Sequence, residues 1–101
     1  MLGEDKRRYE RRSVTLRAVL RSGEDSEGPA VECTIRDISA GGTRVEIVET
    51  TAPVMNVILD IDRFGKYSVE LVWARHPILG LSFRHSPELT SKLVAAILLH
   101  S

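Results

Sequence analysis

The sequence predicts an all-β domain: a six-stranded antiparallel barrel closed by one C-terminal α-helix. Stretches such as "VTLRAVLR" alternate apolar and polar residues with the two-residue period of a half-buried strand. Turn signals rich in Gly, Ser, Asp and Pro recur between these stretches. The last apolar stretch changes to spacings of three and four behind a strong helix start. A chain of 101 residues is long enough for one core and too short to divide into two. Closing the sheet on itself removes the exposed edges that six short strands would otherwise present.

The first strand places Val14, Leu16, Ala18 and Leu20 on one face, with Thr15, Arg17, Val19 and Arg21 on the other. "SGEDSEGP" lacks apolar anchors and reads as a hairpin loop. Ala30 to Ile38 forms the second strand, in which Val31, Cys33 and Ile35 share a face and Cys33 acts as a small buried hydrophobe. "DISAGG" interrupts the pattern. Thr43 to Val48 alternates again as the third strand, which "ETTAP" ends with a proline unable to donate to a ladder. Met55 to Asp62 and Lys66 to Ala74 flank "RFG", whose glycine suits a hairpin turn requiring positive φ. After Trp73 the chain turns at His76-Pro77, and "LGLSF" returns as a short sixth strand. Ser86-Pro87-Glu88 then combines an N-cap serine, a proline where no amide is needed and an acid in the positive first turn. The helix that follows, over 86–100, aligns Leu89, Leu93, Ala96, Ile97 and His100 as a stripe for sealing a barrel end or meeting a dimer partner.

Composition narrows the chemistry. Fourteen Lys and Arg balance fourteen Asp and Glu, so no overall field gathers polyanions. The charge is instead local: within residues 6–12, Lys6, Arg7, Arg8, Arg11 and Arg12 stand against Glu10 alone. A single cysteine allows no internal disulfide, and His76, His85 and His100 show no metal-ligand spacing. The charged start argues against a signal peptide, and the run Leu93 to Leu99 is too short to cross a bilayer. The expectation is a soluble cytoplasmic protein without cofactor or metal. No Ser, His and acid constellation or paired catalytic carboxylates can be assembled, so the chain reads as a non-enzyme.

Two features carry chemistry. In "RRYERRSV", Arg7 and Arg11 lie four positions apart, as do Arg8 and Arg12. A guanidinium donates two parallel hydrogen bonds to a phosphate or to the O6 and N7 edge of guanine, and it stacks on a base. The plainer alternative is a charged leader that only solvates the terminus. In "DISAGG", Asp37 and Ser39 share a face in extended geometry, while Gly41 and Gly42 permit a left-handed turn and close ligand approach. The plainer alternative there is a turn that merely connects strands.

Together, an "RxxxR" lead-in and a "DxSxxG" turn between strands resemble the PilZ domain, a bacterial receptor module for the second messenger cyclic di-GMP. Arg7 and Arg11 match the first motif, and Asp37, Ser39 and Gly42 match the second. Tyr9 inside the first motif, "VELVWARHPILGLSF" and the terminal helix extend the resemblance over about residues 5 to 100. It implies a split barrel of residues 13–101 preceded by a flexible basic arm, 1–12, that folds over the barrel and holds the ligand. On this reading Arg7 and Arg11 engage guanine and phosphate, Asp37 and Ser39 contact guanine edges or the arginines, and Gly42 shapes the turn. A shifted register would use Arg8 and Arg12, and Lys6 and Arg8 are further contacts if a stacked ligand dimer binds. The implied partners are cyclic di-GMP and a protein effector not identified by the sequence, with no nucleic acid or membrane, in a monomer or weak homodimer. Two other readings share the fold: an adaptor working only through protein contacts, and a small nucleic-acid-binding barrel. Zero net charge and few aromatic residues, several at core positions, weigh against the second.

Overall fold

The computed structural model describes residues 10–22, 30–48 and 57–100. Six strands run in the order β1 (Arg12–Ser22), β2 (Ala30–Ile38), β3 (Gly42–Ile47), β4 (Val57–Ile61), β5 (Gly65–Arg75) and β6 (Ile78–Phe83), followed by helix α1 (Pro87–His100). The strands close into a barrel ordered β1-β2-β3-β6-β5-β4, and every neighbouring pair is antiparallel. This is the architecture expected from the alternation, with β2 ending where expected and the other strand ends shifted by at most two residues. The loop from Gly23 to Pro29 and the segment from Glu49 to Asn56, which contains "ETTAP", lie outside the described residues.

Alternation decides which side chains fill the barrel. Ala18 and Leu20 of β1, Val31, Cys33 and Ile35 of β2, and Val45 and Ile47 of β3 all point inward. Val57, Leu59 and Ile61 of β4, Val69 of β5, and Leu79, Leu81 and Phe83 of β6 complete the wall. Burial pushes the Cys33 thiol up from 9.0 to about 12, so it packs there as a neutral group. At the β4–β5 hairpin, Arg63 and Gly65 both adopt positive φ, of 74° and 101°.

Helix α1 seals the barrel with Leu93 and Ile97 of the expected stripe, but its phase in the first turn buries a residue outside that stripe. Leu93 and Ile97 enter the core, but the residue buried in the first turn is Thr90, whereas Leu89 is 44% exposed. The Ser86 cap sets this phase. Its hydroxyl accepts the Leu89 N–H at 3.3 Å and its carbonyl accepts the Thr90 N–H at 3.1 Å. Thr90 is then aimed at the barrel, where its hydroxyl donates to the Ala40 carbonyl at 2.6 Å. Apolar periodicity could not have placed a threonine there, because the contact is a hydrogen bond. Thr90→Val keeps the shape and strands the carbonyl, which costs about 1–3 kcal/mol. Urea melts should show that loss, and an unchanged midpoint would mean that water replaces the hydroxyl.

Candidate functional site

The site lies at the end of the barrel where β1 and β2 depart from regular pairing. The β1–β2 ladder shifts register between Ser13 and Leu16, and the β2–β3 ladder shifts between Ile35 and Asp37. Each shift has a structural consequence. Strict alternation after Val31, Cys33 and Ile35 would send Asp37 into the core. The irregularity around Arg36 turns Asp37 to the outer side instead and lets Ile38 take the inward place, fully buried.

Register then lines up one outer row across five strands. Ser13 pairs with Asp37, Asp37 with Arg44, Arg44 with Gly80, and Gly80 with Trp73. Asp37 is the electrostatic centre of this row, its side chain only 10% exposed. Arg44 donates to Asp37 Oδ2 through both Nε, at 2.7 Å, and Nη2, at 2.5 Å. Arg11 approaches the other carboxylate oxygen, with Nη1 3.5 Å from Oδ1. The bond to Asp37 raises the Arg44 pKa, against a smaller opposing effect of desolvation, so its charge is fixed. Arg12, one residue on, points elsewhere and meets the exposed Glu10 at 3.4 Å.

Ser39 is spent on the turn. Its Oγ accepts the N–H groups of Gly41 at 3.2 Å and Gly42 at 3.3 Å, and its own N–H donates to the Gly42 carbonyl at 2.8 Å. Asp37 and Ser39 do not share an extended face as the spacing suggested, because β2 ends at Ile38 and the chain turns at Ser39. The requirement for glycine at Gly42 also has a different origin from the one expected. Its φ is not positive; a Cβ at that position would overlap the Leu81 carbonyl of β6. Ala40, inside the same turn, accepts the Thr90 hydroxyl, which ties the turn to α1.

Of the residues singled out from the sequence, Arg11, Asp37, Ser39 and Gly42 therefore gather at one end of the barrel, and Arg12 lies beside them facing Glu10. Lys6, Arg7, Arg8 and Tyr9 lie outside the described residues. Sequence reasoning missed four members of the row: Ser13, Arg44, Gly80 and Trp73. Trp73 is 42% exposed and lies over Gly80, where any Cβ would overlap the indole. The available signal was the inward alternation of Thr43, Val45 and Ile47, which leaves Arg44 on the outer face. Among the described residues no group of three His, Cys, Asp or Glu is placed to hold a metal. No helix there is long and apolar enough to cross a membrane.

A closed six-stranded antiparallel barrel followed by a single C-terminal helix defines the fold class. The PilZ domain family model matches residues 5–99, and the chain belongs to that family. Solved structures agree on the fold. The PilZ domain of YcgR from Escherichia coli, solved with c-di-GMP, superposes with a TM-score of 0.65 at 17% identity over 93% of this chain and 90% of that one. The PilZ domain of CeSA from a cellulose-synthesizing bacterium gives 0.63 at 13% identity, covering 88% of this chain and 95% of that one. MrkH of K. pneumonia, described as a c-di-GMP-dependent transcription regulatory factor, gives 0.62 at 18% identity, covering 94% of this chain and 52% of MrkH. No curated protein matches the sequence.

Proposed function

We propose that this chain is a receptor for cyclic di-GMP, with the ligand held between the N-terminal arginines and the Asp37–Gly42 turn. The observation that carries this reading is the convergence of Arg11 and Arg44 on the buried carboxylate of Asp37, beside a turn stitched by Ser39. Membership of the PilZ family and the c-di-GMP-bound relatives support it. The chemistry is apt: arginine donates in pairs to phosphate and to the guanine O6/N7 edge, and a carboxylate accepts from guanine N1 and N2. Trp73 adds an aromatic surface in the same row, suited to stacking against a base.

Arg7 and Arg11 are the working pair in this proposal. Arg11 stands at Asp37 while Arg12 pairs with Glu10, which supports that register over Arg8 and Arg12. Residues 1–12 form the arm that orders over the barrel when ligand binds, and its ordering entropy is deducted from the affinity. The ordered surface then signals to a protein partner in the cytoplasm.

Calorimetric titration with cyclic di-GMP tests this directly. A charge-assisted hydrogen bond is worth about 1.5–3 kcal/mol. Arg11→Ala should therefore weaken binding roughly tenfold to a hundredfold, one decade being about 1.4 kcal/mol. Arg12→Ala should change it by less than about threefold, since an exposed ion pair contributes little. Equal losses in the two variants would reverse the register, and a wild type without binding would remove the receptor reading.

A further inference from the structure

Two arginines meet Asp37, and they do so in different ways. Arg11 precedes the first ladder residue of β1 and reaches Oδ1 at 3.5 Å. Arg44 sits within β3, its backbone paired to Asp37 on one side and Gly80 on the other, and both its donors converge on Oδ2. The two therefore do not compete for one oxygen. An exposed ion pair between long side chains is usually worth little, because both partners must be ordered. Here the carboxylate is nine-tenths buried, and the register of β2 on β3 already brings the two side chains together.

We propose that Arg44 is a positioning residue of the ligand site, pinning Asp37 through Oδ2 so that Oδ1 stays turned toward Arg11 and the guanine edge. The proposal rests on the receptor reading and adds a source of base selectivity to it. Guanine offers N1–H and N2–H donors to a carboxylate, whereas adenine presents an acceptor at N1 and has no amine at C2. A carboxylate held in one rotamer rewards guanine; a carboxylate free to turn does so less. Arg44 contributes this without being replaceable by any cation. Lysine would keep the charge but offer Oδ2 a single nitrogen in place of two fixed donors.

The test compares wild type, Arg44→Gln and Arg44→Lys with cyclic di-GMP and cyclic di-AMP as probes. Arg44→Gln should weaken cyclic di-GMP about tenfold or more and cyclic di-AMP by clearly less, so that the guanine-to-adenine ratio falls. Arg44→Lys should recover part of the affinity and little of the ratio. Equal losses for both nucleotides would mark a merely structural role, and affinities within about twofold of wild type would overturn the proposal outright. A second readout needs no ligand: the Arg44 Nε–H should give a slowly exchanging ¹⁵N resonance that collapses in Asp37→Asn. Its absence from the wild type would also overturn the pin. A wild type that binds neither nucleotide would overturn the receptor reading, leaving that resonance to decide whether Asp37 is pinned.

Discussion

Asp37→Ala is expected to lower the affinity for cyclic di-GMP by on the order of a hundredfold or more, the largest functional effect of any single substitution in the barrel. The carboxylate pairs with two guanidinium groups at once, Arg11 on Oδ1 and Arg44 on Oδ2. Removing it deletes the acceptor proposed for guanine and also leaves two like charges facing a gap. Each charge-assisted contact is worth about 1.5–3 kcal/mol, so the loss of more than one exceeds two decades of affinity. Asp37→Asn separates shape from charge. It fills the same volume and retains an acceptor oxygen, but it supplies no net charge, so it should recover little. Calorimetry reads the affinity and circular dichroism checks the fold. Binding within about threefold of wild type in the alanine variant would exclude Asp37 from the site.

The largest stability effect is expected at Ile35. It is fully buried on the inner side of β2, opposite Leu16 of β1 and Val45 of β3. Strands on both sides hold its backbone, so the barrel can collapse only partly around a truncated side chain. Ile35→Ala should cost about 2–5 kcal/mol, a large part of the roughly 5–15 kcal/mol that stabilises a domain of this kind. Its neighbour is the control. Arg36 lies outside, with Nε 3.6 Å from Glu46 and both side chains about half exposed. Arg36→Ala should change stability by less than about 0.5 kcal/mol. Denaturant midpoints that moved equally for the two variants would contradict the assignment of inner and outer faces.

Most of the fold was legible because it follows from a period of two. Once Leu20, Val31, Val45, Leu59 and Leu81 are put inside, the strand count, the turn positions and the barrel follow. The helix was legible from its cap and from Leu93 and Ile97, although its first-turn contact was not, since Thr90 enters the core by a hydroxyl contact that periodicity does not register. The site was legible in its chemistry and less so in its geometry. Asp37 and Arg11 stand out as residue types at a known spacing, but their meeting depends on two register shifts that no run of apolar and polar letters reveals. Arg44 was visible as an outward residue of β3. That it faces Asp37, and not Arg36 one residue earlier, follows only from the register of the folded sheet. Trp73 was visible only as the end of the fifth strand, and its place over Gly80, where a Cβ would overlap the indole, follows from the pairing of β5 with β6.

The hydrogen bond from Thr90 to Ala40 spans fifty positions of sequence. The chain is made from its N-terminus, so the turn that contains Ala40 is synthesised well before the residue that fastens it to the terminal helix. All six strands precede α1, and the turn is without its brace until residue 90 has emerged. On the receptor reading proposed above, competence for the nucleotide is therefore expected to arrive late in translation, after the barrel sequence is complete. Fluorescent-ligand capture by ribosome-stalled chains of increasing length would time that step, and capture by chains ending at Phe83 would place it earlier.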